Sequence, residues 1–250
     1  LSIILIWVLM SKKTIKKQYI LSIVAITVLV LLLQALIVGT RWQLYTLYIA
    51  VIGISVMVSL KFQFNITLKK LLRRLTITVL TVFIVFSVIT TLIFPLYEIP
   101  MPNGSYLIGT ESFVIEDENR LELYSDDATE FRKIKIQFWY PASSTNGYEQ
   151  APWLEDGVAV TRALSKDTGL PYFVLDHATA IMSNSYIEAP ISNQLDHYPV
   201  VILSHGWRGF RNLHTDYAEE LASLGYIVIG IDHTFGSVAT VFSDDDISYL

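Results

Sequence analysis

A chain of 250 residues with no cysteine has no disulfide framework, no thiolate metal site and no cysteine nucleophile. Its hydrophobic share is 52% and its formal net charge is −5, but residues 1–97 hold ten Lys or Arg and no Asp or Glu, whereas residues 98–250 hold eight basic and 23 acidic residues. Such asymmetry calls for reading the two halves apart.

At the N-terminus, Leu1–Met10 is apolar but too short to cross a bilayer, and position 1 is not Met. Both facts point to a chain that starts within a longer product, with residues 1–10 the tail of a further helix. Spans are predicted at about residues 19–39, 42–60 and 75–95. Hydrocarbon roughly 30 Å thick needs ~20 apolar residues at a rise of about 1.5 Å each. The first span, YILSIVAITVLVLLLQALIVG, has no charged residue, and Trp42, Tyr45 and Tyr48 open the second, where amphipathic rings suit an interface. A backbone in lipid must satisfy its own hydrogen bonds, so helices are the expected form. Gln34 reads as a helix–helix contact, and the sequence lacks the paired intramembrane charges of a small transporter. The loops SKKTIKK and KFQFNITLKKLLRR carry four and five basic residues, while TRW carries only Arg41. Basic loops stay cytoplasmic. Residues 1–97 are thus predicted to be a multi-pass anchor in the cell membrane, its partner the lipid bilayer, with the acidic half outside the cytoplasm. On that orientation Asn65 is cytoplasmic, and its NIT and the NGS at Asn103 read as incidental matches to the glycosylation pattern.

A proline-rich stretch, FPLYEIPMPNGSY, marks the linker, taken as residues 98–111. GTESFVIED and KIKIQFWYP read as partner strands, the second with Ile134, Ile136 and Phe138 on one face before Pro141 and ASSTNG close it. A short helix is predicted at Gly157–Lys166, broken by Gly169-Leu170-Pro171. YPVVILS is a continuous apolar run, as expected of a strand covered on both faces. The following helix is placed at about Leu213–Leu224, with Leu213, Tyr217, Leu221 and Leu224 as its stripe, Asn212 as N-cap and Gly225 at C′. YIVIGID is the next strand. Strand, loop, helix and strand within about thirty residues make a βαβ unit with parallel strands. The expected class is an α-helical membrane region followed by an α/β domain, a mostly parallel sheet flanked by helices.

SHGWRGF lies at the carboxyl end of a strand, where open parallel sheets bind ligands. In α/β-hydrolases one oxyanion-hole N–H comes from the loop between the third strand and the first helix. Gly206 is expected to adopt a backbone conformation closed to other residues and so to aim the next N–H. That makes the Trp207 amide the candidate oxyanion donor, worth ~3 kcal/mol of transition-state stabilisation, with its indole walling an acyl pocket. The plain alternative is a glycine-rich turn without a catalytic part. His205 is expected to brace the loop by hydrogen bonding rather than act as a base. Asp232 and His233 adjoin at a strand end, point to opposite sides and do not readily share a proton; they read as loop structure at the mouth of the site. Asp244-Asp245-Asp246 reads as a solvated acidic loop without a spaced ligand set. Arg208 and Arg211 are expected at the surface, with contact to a phosphate headgroup as the functional alternative.

YPVVILSHGWRGFRNLHTDYAEELASLGYIVIGIDHTFGSVATVF, with GSYLIGTESFVIEDENRLELY, RKIKIQFWYPA and GLPYFVLDHATAIMSNSYIEAPIS upstream, resembles the platelet-activating-factor acetylhydrolases and their bacterial relatives. These are serine esterases of the α/β-hydrolase fold. The resemblance covers about residues 103–242 and implies that residues 112–250 are the N-terminal part of a truncated α/β-hydrolase domain. It further implies hydrolysis of short or oxidised acyl esters of phospholipids, or of other carboxylic esters, by a Ser-Asp-His triad in that order, without metal or organic cofactor. The catalytic position it carries onto this sequence is Trp207, as backbone oxyanion donor. No G-x-S-x-G occurs in the 250 residues. The triad is therefore expected beyond Leu250, and the 250-residue chain by itself is expected to be inactive. The full-length protein is expected to be a membrane-anchored ester hydrolase with a phospholipid-type or small-ester substrate. The alternative is a membrane protein whose hydrolase-like outer domain binds a ligand or partner without catalysis. Nucleic acid is not an expected partner.

Overall fold

The computed structural model describes residues 2–10, 16–37, 39–243 and 245–250. Most of the basic loop SKKTIKK and Asp244 of the acidic run lie outside the described residues. The chain separates into two units, Leu1–Pro95 and Leu96–Leu250.

The first unit contains α1 (Ser2–Met10), α2 (Lys17–Ile37), α3 (Trp42–Gln63) and α4 (Lys70–Ile93). The last three are each long and apolar enough to cross a membrane. Helix α4 starts at Lys70, ahead of the predicted span, because a helical backbone need not end where the hydrocarbon does. Long basic side chains such as Arg73 and Arg74 can reach back to an interface. Leu5, Leu9, Ile20, Ile54, Val58 and Leu80 form the unit's interior, while Leu36, Ile37 and Leu92 point outward, as lipid-facing residues do. Tyr48 donates its hydroxyl to Gln34 Oε1 at 2.6 Å, so Gln34 joins α2 to α3.

The second unit is built on a sheet of β1 (Leu107–Leu121), β2 (Phe131–Ala142), β3 (Gln150–Pro152), β4 (Met182–Ile187), β5 (Val200–Ser204) and β6 (Ile227–Asp232). The strands run in the order β3-β4-β1-β2-β6-β5. Pairs β1/β2, β2/β6 and β3/β4 are antiparallel, while β1/β4 and β5/β6 are parallel. The sheet is thus mixed rather than mostly parallel, because the long β1–β2 hairpin joins the βαβ unit edge to edge. Strand β1 begins at Leu107, inside the stretch assigned to the linker, since Leu107–Thr110 already pair with β2 residues from Ala142 back to Trp139. Helix α5 (Val158–Asp167) falls where predicted, and a hairpin of β7 (Ala239–Ser243) and β8 (Asp246–Tyr249) closes the order.

The crossover element is a 3₁₀ turn, Arg211–His214, followed by α6 (Thr215–Ser223). Its buried face is not the predicted stripe. Thr215, Ala218, Glu219, Ala222 and Ser223 are buried; of the predicted stripe Leu221 alone packs against the core, whereas Leu213 and Leu224 are exposed and Tyr217 is 63% exposed. Small residues let α6 lie close to the sheet, where Trp139, Ile108 and Val228 supply the bulk. Asn212 is no N-cap: it is buried, and its Nδ2 donates to Gln137 Oε1 at 2.6 Å. Gly225 does take the left-handed C′ position, with φ +95. Strand β5 is not covered on both faces either. It stands at the sheet edge, and Ile202 on the face away from α6 is 63% exposed, because α6 covers one side only among the described residues.

Candidate active site

Parallel register pairs Ser204 with Ile231, so β5 and β6 end side by side. Two loops leave these ends, residues 205–210 and 233–238, and they are zipped together. The Arg208 N–H donates to Gly236 O at 3.2 Å, and the Val238 N–H donates to Gly209 O at 3.0 Å. Phe210 and Val238, at the far ends of the loops, are buried with Leu154, Val160 and Ala239. The loops are therefore anchored by apolar packing at one end and by strand termini at the other.

Residues 206–209 form a tight turn in which the Gly209 N–H donates to Gly206 O at 2.9 Å. Arg208, at the third position, has φ +68, while Trp207 is not left-handed; this is the type II pattern. Gly206 departs from its expected conformation. It is not left-handed, and a Cβ on it would meet open space. The constrained glycine is Gly209, where a Cβ would lie 2.8 Å from His205 Cβ and 2.9 Å from Gly206 O. Among the described residues no acceptor meets the Trp207 N–H. Trp207 is 75% exposed, so among the described residues its indole faces solvent rather than an enclosed pocket.

Beneath the loop lies a charged cluster that the sequence did not reveal. Arg211 is buried, contrary to its reading as a surface residue. Its guanidinium meets Asp232 Oδ2 at 2.5 Å, Asp156 Oδ2 at 2.6 Å and Glu155 Oε2 at 2.6 Å, and its backbone N–H donates to Asp232 Oδ1 at 2.7 Å. Lys135 completes the group at 2.6 Å from Asp156. Burial pulls the guanidinium pKa down, but Asp232, Asp156 and Glu155 more than offset this and hold it above its ordinary value. Burial pushes the Asp156 pKa up, and Arg211 and Lys135 outweigh it, so that carboxyl titrates below its ordinary value. The partners come from segments 55 and 21 residues away in sequence, which no local spacing signals. Arg208 is exposed and pairs with Asp167 at 3.4 Å. Neither arginine is left unpaired for a headgroup.

Asp232 and His233 do serve different partners: the first turns inward to Arg211, the second meets Ser204 Oγ through Nε2 at 2.6 Å. Burial above all, with the Arg132 charge adding to it, holds the His233 pKa below its ordinary value. His205 sits behind it, with ring centroids 5.1 Å apart. Its Nδ1 lies 2.7 Å from Gly206 O and its Nε2 lies 2.7 Å from Ser237 Oγ. Ser204 and Ser237 were not singled out by sequence, since a lone serine carries no signal until a histidine is placed beside it. Among the described residues no group of three His, Asp or Glu could hold a metal ion.

Known proteins resemble the second unit in sequence and fold. The model of the family described as platelet-activating factor acetylhydrolase, isoform II, matches residues 92–248. The platelet-activating factor acetylhydrolase of Canis lupus familiaris is 27% identical over 151 residues, covering 58% of this chain and 30% of the relative. That of Bos taurus is 26% identical over 148 residues, with 58% and 30% covered. The chain therefore spans about a third of the length of these relatives. Among solved structures, a ferulic acid esterase from Streptomyces cinnamoneus superposes with a TM-score of 0.50 at 24% identity, over 62% of this chain and 41% of that one. This likeness concerns the fold alone.

Proposed function

Because the chain belongs to the platelet-activating factor acetylhydrolase isoform II family, we propose that it serves a membrane-anchored carboxylic-ester hydrolase acting on short-acyl esters of phospholipid type or other small esters. In this reading the Trp207 amide is one donor of the oxyanion hole. The single observation that carries it is that N–H, without a partner among the described residues, on a clasped turn at the carboxyl ends of two parallel strands. When a serine oxygen adds to an ester carbonyl, the carbonyl oxygen becomes negative. A donor already held in place stabilises it with no reorganisation at that moment. G-x-S-x-G is absent from the 250 residues, so this reading draws the nucleophile, base and acid from sequence outside them. It uses no metal or organic cofactor. Helices α2, α3 and α4 hold the protein in the bilayer, and the basic loops put the hydrolase unit on the outer side of the cell membrane, where lipid substrates are concentrated.

The test uses the full-length protein in membranes, labelled with a fluorophosphonate and assayed on short p-nitrophenyl esters. Trp207 occupies the second position of a type II turn, where proline fits, so Trp207→Pro removes the N–H while preserving the turn. Turnover should fall by ~10²–10³-fold in kcat with KM little changed, while Trp207→Ala, which keeps the N–H, should retain most of kcat. A full-length protein that takes no label and turns over no ester is a binding protein instead.

A further inference from the structure

The Trp207 N–H belongs to the same planar peptide as the Gly206 carbonyl, and in a trans peptide the two point in opposite directions. No cis peptide occurs among the described residues. Whatever fixes Gly206 O therefore fixes the direction of the Trp207 N–H. Gly206 O receives two contacts, the Gly209 N–H at 2.9 Å and His205 Nδ1 at 2.7 Å.

The second contact decides the tautomer of His205. A backbone carbonyl only accepts, so Nδ1 must carry a proton. At the other nitrogen, the backbone N–H of His233 approaches Nε2 at 3.4 Å. A backbone N–H only donates, so Nε2 must be bare. The one Ser237 hydroxyl proton has two acceptors in reach, Nε2 at 2.7 Å and Asp232 Oδ1 at 3.5 Å, and with Nε2 bare the shorter contact takes it. Asp232 Oδ1 stands 4.0 Å from Nε2 but already accepts from the Arg211 N–H at 2.7 Å. The His205 side chain is 2% exposed, which leaves the ring no alternative orientation through solvent.

We propose that His205 and Ser237 are positioning residues: Ser237 holds a neutral His205 in its Nδ1–H form, and that N–H pins the Gly206 carbonyl so that the Trp207 amide faces the incoming ester oxygen. Neither touches substrate. This rests on the oxyanion role proposed above for Trp207, but the tautomer and the lock can be read without any turnover.

The experiment uses the full-length protein, assayed in membranes and, with ¹⁵N-labelled histidine, observed by NMR in detergent micelles. In the parent, His205 should show a protonated Nδ1 and an unprotonated Nε2, and Ser237→Ala should shift it to a tautomer mixture. On short p-nitrophenyl esters, His205→Ala should lose ~10–100-fold in kcat with KM unchanged, as expected for loosened aim of one oxyanion donor. His205→Asn places an amide N–H where Nδ1 was and should restore most of that loss, whereas a residue needed only for packing would not be rescued in this way. A parent His205 with a protonated Nε2 and bare Nδ1 overturns the proposal, as does an Asn variant no better than Ala. If the parent hydrolyses no ester, the hydrolase reading fails, while the nitrogen shifts still decide whether the lock exists.

Discussion

Arg208 occupies the one turn position where a side chain is most costly. With φ +68 it stands in the left-handed region that type II turns reserve for glycine, at a price of roughly 1 kcal/mol or more. Its compensation is a bridge to Asp167 at 3.4 Å, with the arginine side chain 55% exposed, and exposed pairs contribute about 0–1 kcal/mol. Arg208→Gly should therefore raise stability by up to ~1 kcal/mol, seen as a higher thermal midpoint, and should leave ester turnover untouched, because the guanidinium is committed to Asp167. A fall in the midpoint would show that the bridge outweighs the strain. Arg211 is the opposite case. It looks the same in sequence, yet it is sealed beneath the loop among Asp232, Asp156 and Glu155, where removing one partner of a buried pair typically costs about 3–5 kcal/mol.

At the scale of an element, α6 is fastened to β4 by a buried carboxylate that pairs with no cation among the described residues. Glu219 Oε1 accepts the Asn184 N–H at 2.7 Å and the Ser185 hydroxyl at 2.5 Å, and Oε2 accepts from Asn184 Nδ2 at 2.8 Å. Burial pushes its pKa up, and these donors offset that only in part. A raised folded-state pKa gives stability that is present below the ordinary value of 4.5 and lost as pH rises through the folded value. Relative to Glu219→Gln, which does not titrate, the parent should thus lose stability as pH climbs out of the acid range, measured by denaturant unfolding at several pH values. A gap independent of pH would refute the assignment. Glu219→Ala should cost most at acid pH, ~3 kcal/mol, since it orphans the three donors that Glu219 accepts from, and the gap should narrow as pH rises. This fastening also explains why the sequence misplaced the face of α6. Leu213, Tyr217 and Leu224 repeat at helical spacing, but the helix must present Glu219 to Asn184 and Ser185 and Ala218 and Ala222 to Trp139, which turns the large residues outward. The existence of α5, α6, β2 and the β5–α6–β6 crossover was legible, because apolar runs and glycine breaks are local signals. The mixed sheet, the edge position of β5 and the clasp between residues 205–210 and 233–238 were not, because each depends on pairing between distant segments.

For the molecule as a whole, the chain divides into two units, and the charge division between residues 1–97 and 98–250 follows that boundary closely. The helices of the first unit turn leucine and isoleucine outward, and three of them are long and apolar enough to cross a membrane. In the second unit, a predominantly acidic chain encloses a buried ion cluster around Arg211. Which side of the membrane each loop occupies is a matter of basic-residue placement, and the absence of cysteine makes it directly measurable. Thr67 lies in the exposed α3–α4 connection and Asn146 in the exposed loop after β2. Each can carry a single introduced thiol without a competing one among these 250 residues. In intact cells, a membrane-impermeant maleimide should label Asn146→Cys fully and Thr67→Cys only after permeabilisation, because the basic residues flanking Thr67 hold it on the cytoplasmic side. The reverse pattern would place the esterase-like unit inside the cell. Outer-leaflet lipid could then no longer be its substrate, even with the Trp207 amide and its clasp unchanged.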